Sequence, residues 1–153
     1  MKINEWENEL TERTLTLIKP ECVAANHIGE IIQRIEKAGF EILALRLLKL
    51  QIAEAEQFYL IHKNRPFYRD LVNYMCNGKI VALVLQKNNC VEEFRKFIGA
   101  TNPAEAAAGT IRKDFGTNIQ NNCVHASDSR ENAVKEISFF FTEKDIISVN
   151  KQE

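Results

Sequence analysis

Of the three histidines, His27, His62 and His125, only the last has chemical company. Asn122, Ser127, Asp128 and Ser129 stand around it in sequence, and Glu136 follows on what reads as a helix. An imidazole is nucleophilic near neutral pH without a separate base, and a carboxylate on its second nitrogen can hold it in one tautomer and orientation. That combination suits acceptance of a phosphoryl group. Glu136 is the candidate holder, although helical periodicity alone would also place it on a solvated face.

Phosphate chemistry needs positive charge, and here it would have to come from side chains. The chain has no GxxxxGK[ST] loop and neither the HRD nor the DFG triplet. Lys19 falls at a strand end, Arg95 on a helix and Arg112 in a long loop; taken singly, each reads equally well as a surface charge. Cys123 and His125 are two residues apart and would share one face of a strand, so a Cys–His nucleophilic pair is a second reading. Nothing in the sequence marks Cys123 as a thiol of depressed pKa, and cysteine is commonly a small buried hydrophobe.

These residues depend on a regular scaffold. Thr14 to Ile18 is β-branched and apolar and stops at Pro20, which suggests a strand leading to a loop. Ile28, Ile31, Ile32, Ile35 and Ala38 recur at helical spacing up to Gly39, a left-handed cap. From Phe40 to Leu50 the alternation of Leu43, Leu45 and Leu47 with Glu41, Ala44 and Arg46 predicts a second strand. Two helical patterns between Ala53 and Cys76, broken at Arg65-Pro66, read as a helical hairpin.

After the Asn77-Gly78 turn comes a buried strand, Lys79 to Gln86, then a helix bearing Val91, Phe94, Phe97 and Ile98 and ended by Gly99. Thr101 to Gln120, with Pro103, Gly109 and Gly116, reads as a long loop of the kind that carries function. A last strand over Asn122 to His125 leads to a helix capped by Asp128 or Ser129. The order predicts an α+β sandwich, with helices covering one face of an antiparallel sheet.

Composition limits the alternatives. With 153 residues, 45% hydrophobic and 27% charged, the chain suits one folded domain. Twenty basic against 21 acidic side chains leave a formal charge of -1, so no global field draws in nucleic acid or anionic lipid, and no RNP-type aromatic pattern suggests RNA binding. Cys22, Cys76, Cys90 and Cys123 form no CxxC pair and read as free thiols of a reducing compartment. No signal peptide and no run of ~20 apolar residues is evident, so a cytoplasmic protein is expected, with residues 1–11 as a polar extension and 12–153 as the domain.

Several segments together resemble the nucleoside diphosphate kinase family. They are Glu12-Arg13-Thr14 through Ile18-Lys19-Pro20, Ile28 to Ile32, Arg65-Pro66-Phe67-Tyr68, Gly99 to Pro103, Gly109-Thr110-Ile111-Arg112, and Asn122 to Ser129. The likeness runs in order from about Glu12 to Phe141. It implies a ferredoxin-like βαββαβ core, a four-stranded antiparallel sheet covered by helices, with added helices. It also implies a reversible ping-pong reaction in which Nδ1 of His125 carries the γ-phosphoryl group between a nucleoside triphosphate and a nucleoside diphosphate.

By the same resemblance, Glu136 orients the other ring nitrogen and Ser127 lies close to both. Lys19 and Tyr59 match residues near the ribose hydroxyls and the transferred phosphate. Phe67 matches the ring on which the base stacks, a contact open to any base because each offers a π-face. Arg95, Thr101 and Arg112 match phosphate-holding residues, and Asn122 one that reaches the sugar 3′-hydroxyl. Mg2+ is expected to arrive with the nucleotide, held by phosphates more than by protein ligands. The resemblance also implies a homo-oligomer, tetramer or hexamer, to which the Thr101 to Gln120 loop contributes.

Two positions depart from the family pattern. Ala126 stands where glycine often follows the histidine, and Lys79 where proline often follows the turn glycine; neither removes a chemical group. A homologue that keeps the fold and lacks kinase activity is the competing possibility. Joint retention of Lys19, Tyr59, Phe67, Arg95, Thr101, Arg112, Asn122, His125, Ser127 and Glu136 opposes it.

Overall fold

The computed structural model describes residues 11–149, so the polar extension expected over residues 1–11 lies outside it except for Thr11, which opens the first strand. Four strands, β1 (Thr11–Ile18), β2 (Glu41–Leu48), β3 (Ile80–Asn88) and β4 (Val124–Ala126), form one antiparallel sheet in the order β2-β3-β1-β4. Strands β1 and β3 are central and the most apolar; β3 is buried from Ile80 to Leu85 because helices pack on both of its faces.

Among the described residues there are seven α-helices: α1 (Pro20–Ala24), α2 (Ile28–Lys37), α3 (Ile52–Phe58), α4 (Tyr68–Met75), α5 (Cys90–Ile98), α6 (Ile111–Phe115) and α7 (Arg130–Phe140). The order β1-α2-β2-β3-α5-β4 is the expected βαββαβ core. The helices do not confine themselves to one face, however. Leu15, Leu17, Ala82 and Val84 pack with Ala55, Val72, Ile137 and Phe140 of α3, α4 and α7. The alternate residues Ile18, Val81, Leu83 and Leu85 pack with Ile31 and Ile35 of α2 and Phe94 and Ile98 of α5. The two-residue period of the strands thus feeds two cores.

The second strand departs from simple alternation. A bulge between Ile42 and Ala44 inserts Leu43, so Leu43 and Ala44 are both buried against the α3/α4/α7 side. Beyond it Leu45 and Leu47 turn to the other face of this edge strand and stay 52% and 54% exposed. Alternation predicted the three leucines as equivalent; the extra residue separates Leu43 from the other two.

Two short helices were not expected. Pro20, taken as a strand stop, is the first residue of α1, where its missing N–H costs nothing and its fixed φ suits the helix. The Thr101 to Gln120 stretch contains a 3-10 turn, Pro103–Glu105, and then α6. Asn102 caps the turn, accepting from the Ala104 N–H, and Thr110 caps α6, accepting from the Lys113 N–H. The five residues of α6 are too few for periodicity to reveal a helix. Of the two caps considered for α7, Ser129 is the one used: its hydroxyl accepts from the Asn132 N–H.

Candidate active site

The site is built around the edge of the sheet where β4 meets β1. His125 sits opposite Leu17, and its carbonyl accepts from the Thr16 hydroxyl at 2.8 Å. The Lys19 N–H donates to the Cys123 carbonyl at 2.8 Å, so the end of β1 is tied to the start of β4. On the far side the Ser127 N–H donates to the Leu15 carbonyl, continuing the register past the last strand residue. The backbone on both sides of His125 is therefore fixed by β1 before any side chain is considered.

Helix α7 then supplies the carboxylate. Glu136 Oε1 lies 2.5 Å from His125 Nε2 and 3.2 Å from Ser127 Oγ. The Ser127 hydroxyl accepts from the Leu15 N–H at 3.3 Å, and its one proton is within reach of Glu136 Oε1 at 3.2 Å and of the Leu15 carbonyl at 3.4 Å. An ionised carboxylate only accepts, and the proton between it and the ring therefore belongs on Nε2. The neutral imidazole in that tautomer leaves Nδ1 with its lone pair, and among the described residues Nδ1 has no hydrogen-bond partner. The His125 and Glu136 side chains are half-buried, 21% and 17% exposed. The rings of Phe58 and Tyr59 stand beside the imidazole at centroid distances of 5.4 and 6.1 Å.

The cations gather on the other side of β4. Arg112, on α6, is buried; its guanidinium donates to the Gly99 carbonyl at 3.1 Å and the Val124 carbonyl at 3.0 Å, while Nε has no partner. Lys19 is also buried and donates through Nζ to the Gln120 carbonyl at 3.2 Å. The Asn122 amide donates to the Thr101 carbonyl at 3.0 Å, with its own oxygen unpaired. Arg95, Thr101, Arg112 and Asp128 line an open cleft of about 840 Å³.

This grouping is electrically unfavourable on its own. Burial, then the charge of Arg112, pulls the Lys19 ammonium down to about 8. Burial, then Arg95, pulls Arg112 down to about 10. Groups of like sign are held together in low dielectric with unpaired donors, an arrangement that a bound polyanion would relieve. Burial, and next the Glu136 charge, pushes the Tyr59 phenol up, so its hydroxyl stays protonated as a donor or acceptor.

Phe67 is the expected site residue that stands apart. It precedes α4 in the helical hairpin, is 49% exposed, and its ring contact is His62 at 5.5 Å. It lines neither the cleft nor the surroundings of His125. Phe58 is the residue that the sequence did not single out: it read only as part of an apolar helical stripe, and no residue-type signal distinguishes a ring packed on a core from one packed on an imidazole.

The Cys–His reading is overturned by the backbone. Cys123 has φ 76°, in the left-handed region, which breaks strand alternation. Its side chain is buried with Cys22, Val124 and Ala126 on the α2/α5 side, whereas His125 faces the opposite core with Leu17. A hydrogen bond with the Cys22 thiol, and then burial, push the Cys123 thiol up, away from the thiolate a nucleophile needs. The described residues contain no group of three or more His, Cys, Asp or Glu side chains able to hold a metal.

An α+β sandwich that holds an imidazole on a carboxylate near buried cations belongs to the class of folds with the chemistry to accept a phosphoryl group. The nucleoside diphosphate kinase family model matches residues 12–146. The nucleoside diphosphate kinase of Chlamydia abortus is 52% identical over 137 residues, 90% of this chain and 97% of that protein; the one from Salinibacter ruber is 48% identical over 138 residues with the same coverages. Among solved structures, the Aquifex aeolicus nucleoside diphosphate kinase superposes with a TM-score of 0.88 at 38% identity, covering 90% of this chain and 99% of that one. The Halobacterium salinarum nucleoside diphosphate kinase, solved in complex with CDP, also gives 0.88, at 29% identity over 92% and 94%. This chain belongs to the nucleoside diphosphate kinase family.

Proposed function

We propose that the chain catalyses reversible ping-pong transfer of the γ-phosphoryl group from a nucleoside triphosphate, usually ATP, to a nucleoside diphosphate through a phosphohistidine on His125. The observation that carries this reading is the Nε2–Glu136 hydrogen bond, supported by Ser127, which leaves Nδ1 as the open nitrogen. In the first half-reaction the Nδ1 lone pair forms a bond to the γ-phosphorus, the bond from that phosphorus to the β–γ bridging oxygen breaks, and the nucleoside diphosphate leaves with both electrons. The second half-reaction is the reverse, with the terminal oxygen of another diphosphate attacking the phosphohistidine. The imidazole gains positive character as it is phosphorylated, and Glu136 offsets it.

A loose phosphoryl-transfer transition state asks mainly for positioning and for positive charge on the non-bridging oxygens. Lys19, Arg95 and Arg112 supply the charge, with Thr101 as a neutral donor. Asn122 and Lys19 serve the sugar hydroxyls, Tyr59 stands beside the transferred phosphate, and Phe67 stacks on the base, which gives broad base tolerance. The cleft is lined by the carboxylates Glu12, Glu92 and Asp128 together with Arg95, Lys96, Arg112 and Arg130, and no three His, Cys, Asp or Glu side chains among the described residues are clustered to hold a metal. That suits Mg2+ carried in on the nucleotide, with few protein ligands, and the bound ion would neutralise phosphate charge.

Leu45 and Leu47, exposed on edge strand β2, support assembly of copies into a tetramer or hexamer. The free cysteines support a reducing, cytoplasmic setting, and no described helix is long and apolar enough to cross a membrane. The test is a coupled ATP-plus-GDP assay on the native chain and His125→Ala. Native turnover with parallel double-reciprocal plots, abolished in a folded His125→Ala, is the expected result; turnover surviving in that variant contradicts the mechanism.

A further inference from the structure

Arg130, the first residue of α7, lines the same cleft as Arg95, Thr101 and Arg112. An arginine is poorly placed there on local grounds. The start of a helix presents unpaired N–H groups and the positive end of the macrodipole, which favour acidic side chains and disfavour cations. Ser129, which caps α7, and Glu131, in its first turn, follow that preference. Arg130 between them does not.

The carboxylates of the cleft do not neutralise it. Glu12 accepts from the Val91 N–H at 2.8 Å, Glu92 pairs with Lys96 at 3.2 Å, and Asp128 accepts from the Asn132 amide at 2.6 Å. Among the described residues Arg130 has no hydrogen bond and no ion pair. Lys96, another cation of the cleft, differs in being paired with both Glu92 and Glu93 on its own helix. Arg112 supplies a second, independent sign of a missing ligand: it is 7% exposed, lines the same cleft, and leaves Nε without a partner. A buried donor left unpaired costs free energy until an acceptor arrives. Guanidinium groups from α6 and from the start of α7 call for a ligand whose anionic oxygens are spread along its length, and a polyphosphate is such a ligand.

We propose that Arg130 is a substrate-binding residue, whose guanidinium engages the polyphosphate of the bound nucleotide from the α7 side of the cleft and favours tri- and diphosphates over monophosphates. The inference rests on the nucleotide reading above. It also explains the unfavourable placement: in the free chain Arg130 opposes the helix dipole, whereas a bound polyanion reverses the sign of its contribution. Arg130 is thus a residue whose charge serves the complex at the expense of the free fold.

The test compares the native full-length chain with Arg130→Gln and with Lys96→Gln, a control that removes one cation from the same cleft. Calorimetry with Mg2+ present gives the Kd for the hydrolysis-resistant β,γ-imido analogue of ATP, for ADP and for AMP, and thermal unfolding without nucleotide gives the melting temperature. Arg130→Gln is expected to bind the triphosphate analogue about tenfold more weakly, ADP by a smaller factor, and AMP within about twofold of native. Lys96→Gln should stay within about twofold for all three, because its charge is already paired. The melting temperature of Arg130→Gln should be no lower than native, since the clash with the helix dipole is removed. A loss equal for AMP and the analogue, or equal in the two variants, would reduce Arg130 to part of the general field of the cleft and overturn the proposal. An unchanged Kd, or a loss that comes with a lower melting temperature, would overturn it too. A native chain with no measurable affinity for the analogue would instead strike the kinase reading itself, and this proposal with it.

Discussion

At the scale of residues, the site combines one well-satisfied group with several unsatisfied ones. His125, Glu136 and Ser127 complete each other's hydrogen bonds, whereas Lys19 and Arg112 are buried beside like charges. Lys19 yields a prediction about pH. Its folded pKa of about 8 lies below the ordinary 10.5, so folding disfavours the protonated form. Without nucleotide this cost is fully present below pH 8 and is relieved as pH rises towards 10.5, because the unfolded chain binds more protons in that window. A bound polyphosphate reverses the effect by favouring the ammonium. Calorimetry of ADP binding above pH 8, in buffers of different ionisation enthalpy, should therefore show proton uptake, and Lys19→Gln should abolish it. Uptake that persists in the variant would place the titrating group elsewhere.

At the scale of elements, the chemistry depends on how α5 ends and α6 begins. Gly99 has φ 93°, and a Cβ there would lie 2.6 Å from the Thr110 hydroxyl oxygen that caps α6. Its carbonyl also receives the Arg112 guanidinium. Gly99→Ala should cost about 1–3 kcal/mol of stability in urea unfolding and weaken ADP binding through Arg112; an unchanged midpoint and Kd would show that the junction can give. Gly99 was legible in the sequence as a helix end, as were Gly39, the Asn77-Gly78 turn and the helix carrying Glu136, because glycine punctuation and 3.6-residue periodicity are local. What was not legible depended on pairing: the bulge at Leu43, the second helical layer and the φ of Cys123 follow from register with neighbouring strands. Among the site residues, Lys19, Arg95 and Arg112 were ambiguous one by one and gained meaning only from the motif set. Phe58 gave no signal, since its partner is a ring that lies far off in sequence.

At the scale of the whole molecule, a net charge of -1 conceals a local concentration of cations where β1, α5 and α6 converge on β4. The exposed Leu45 and Leu47 on β2 belong to the same scale. For the proposed homo-oligomer, replacing both with glutamate should shift the mass towards monomer in light scattering and lower the melting temperature, while an unchanged mass would move the interface elsewhere. The fold brings β4, with His125 as the proposed nucleophile, between a carboxylate from one helical layer and cations from the other. That arrangement is tested most directly by incubating the native chain and His125→Ala with γ-³²P-labelled ATP and Mg2+, then adding GDP. The account predicts an acid-labile label on the native chain alone that moves to GDP; a label on folded His125→Ala, or one on the native chain that GDP does not remove, would contradict it.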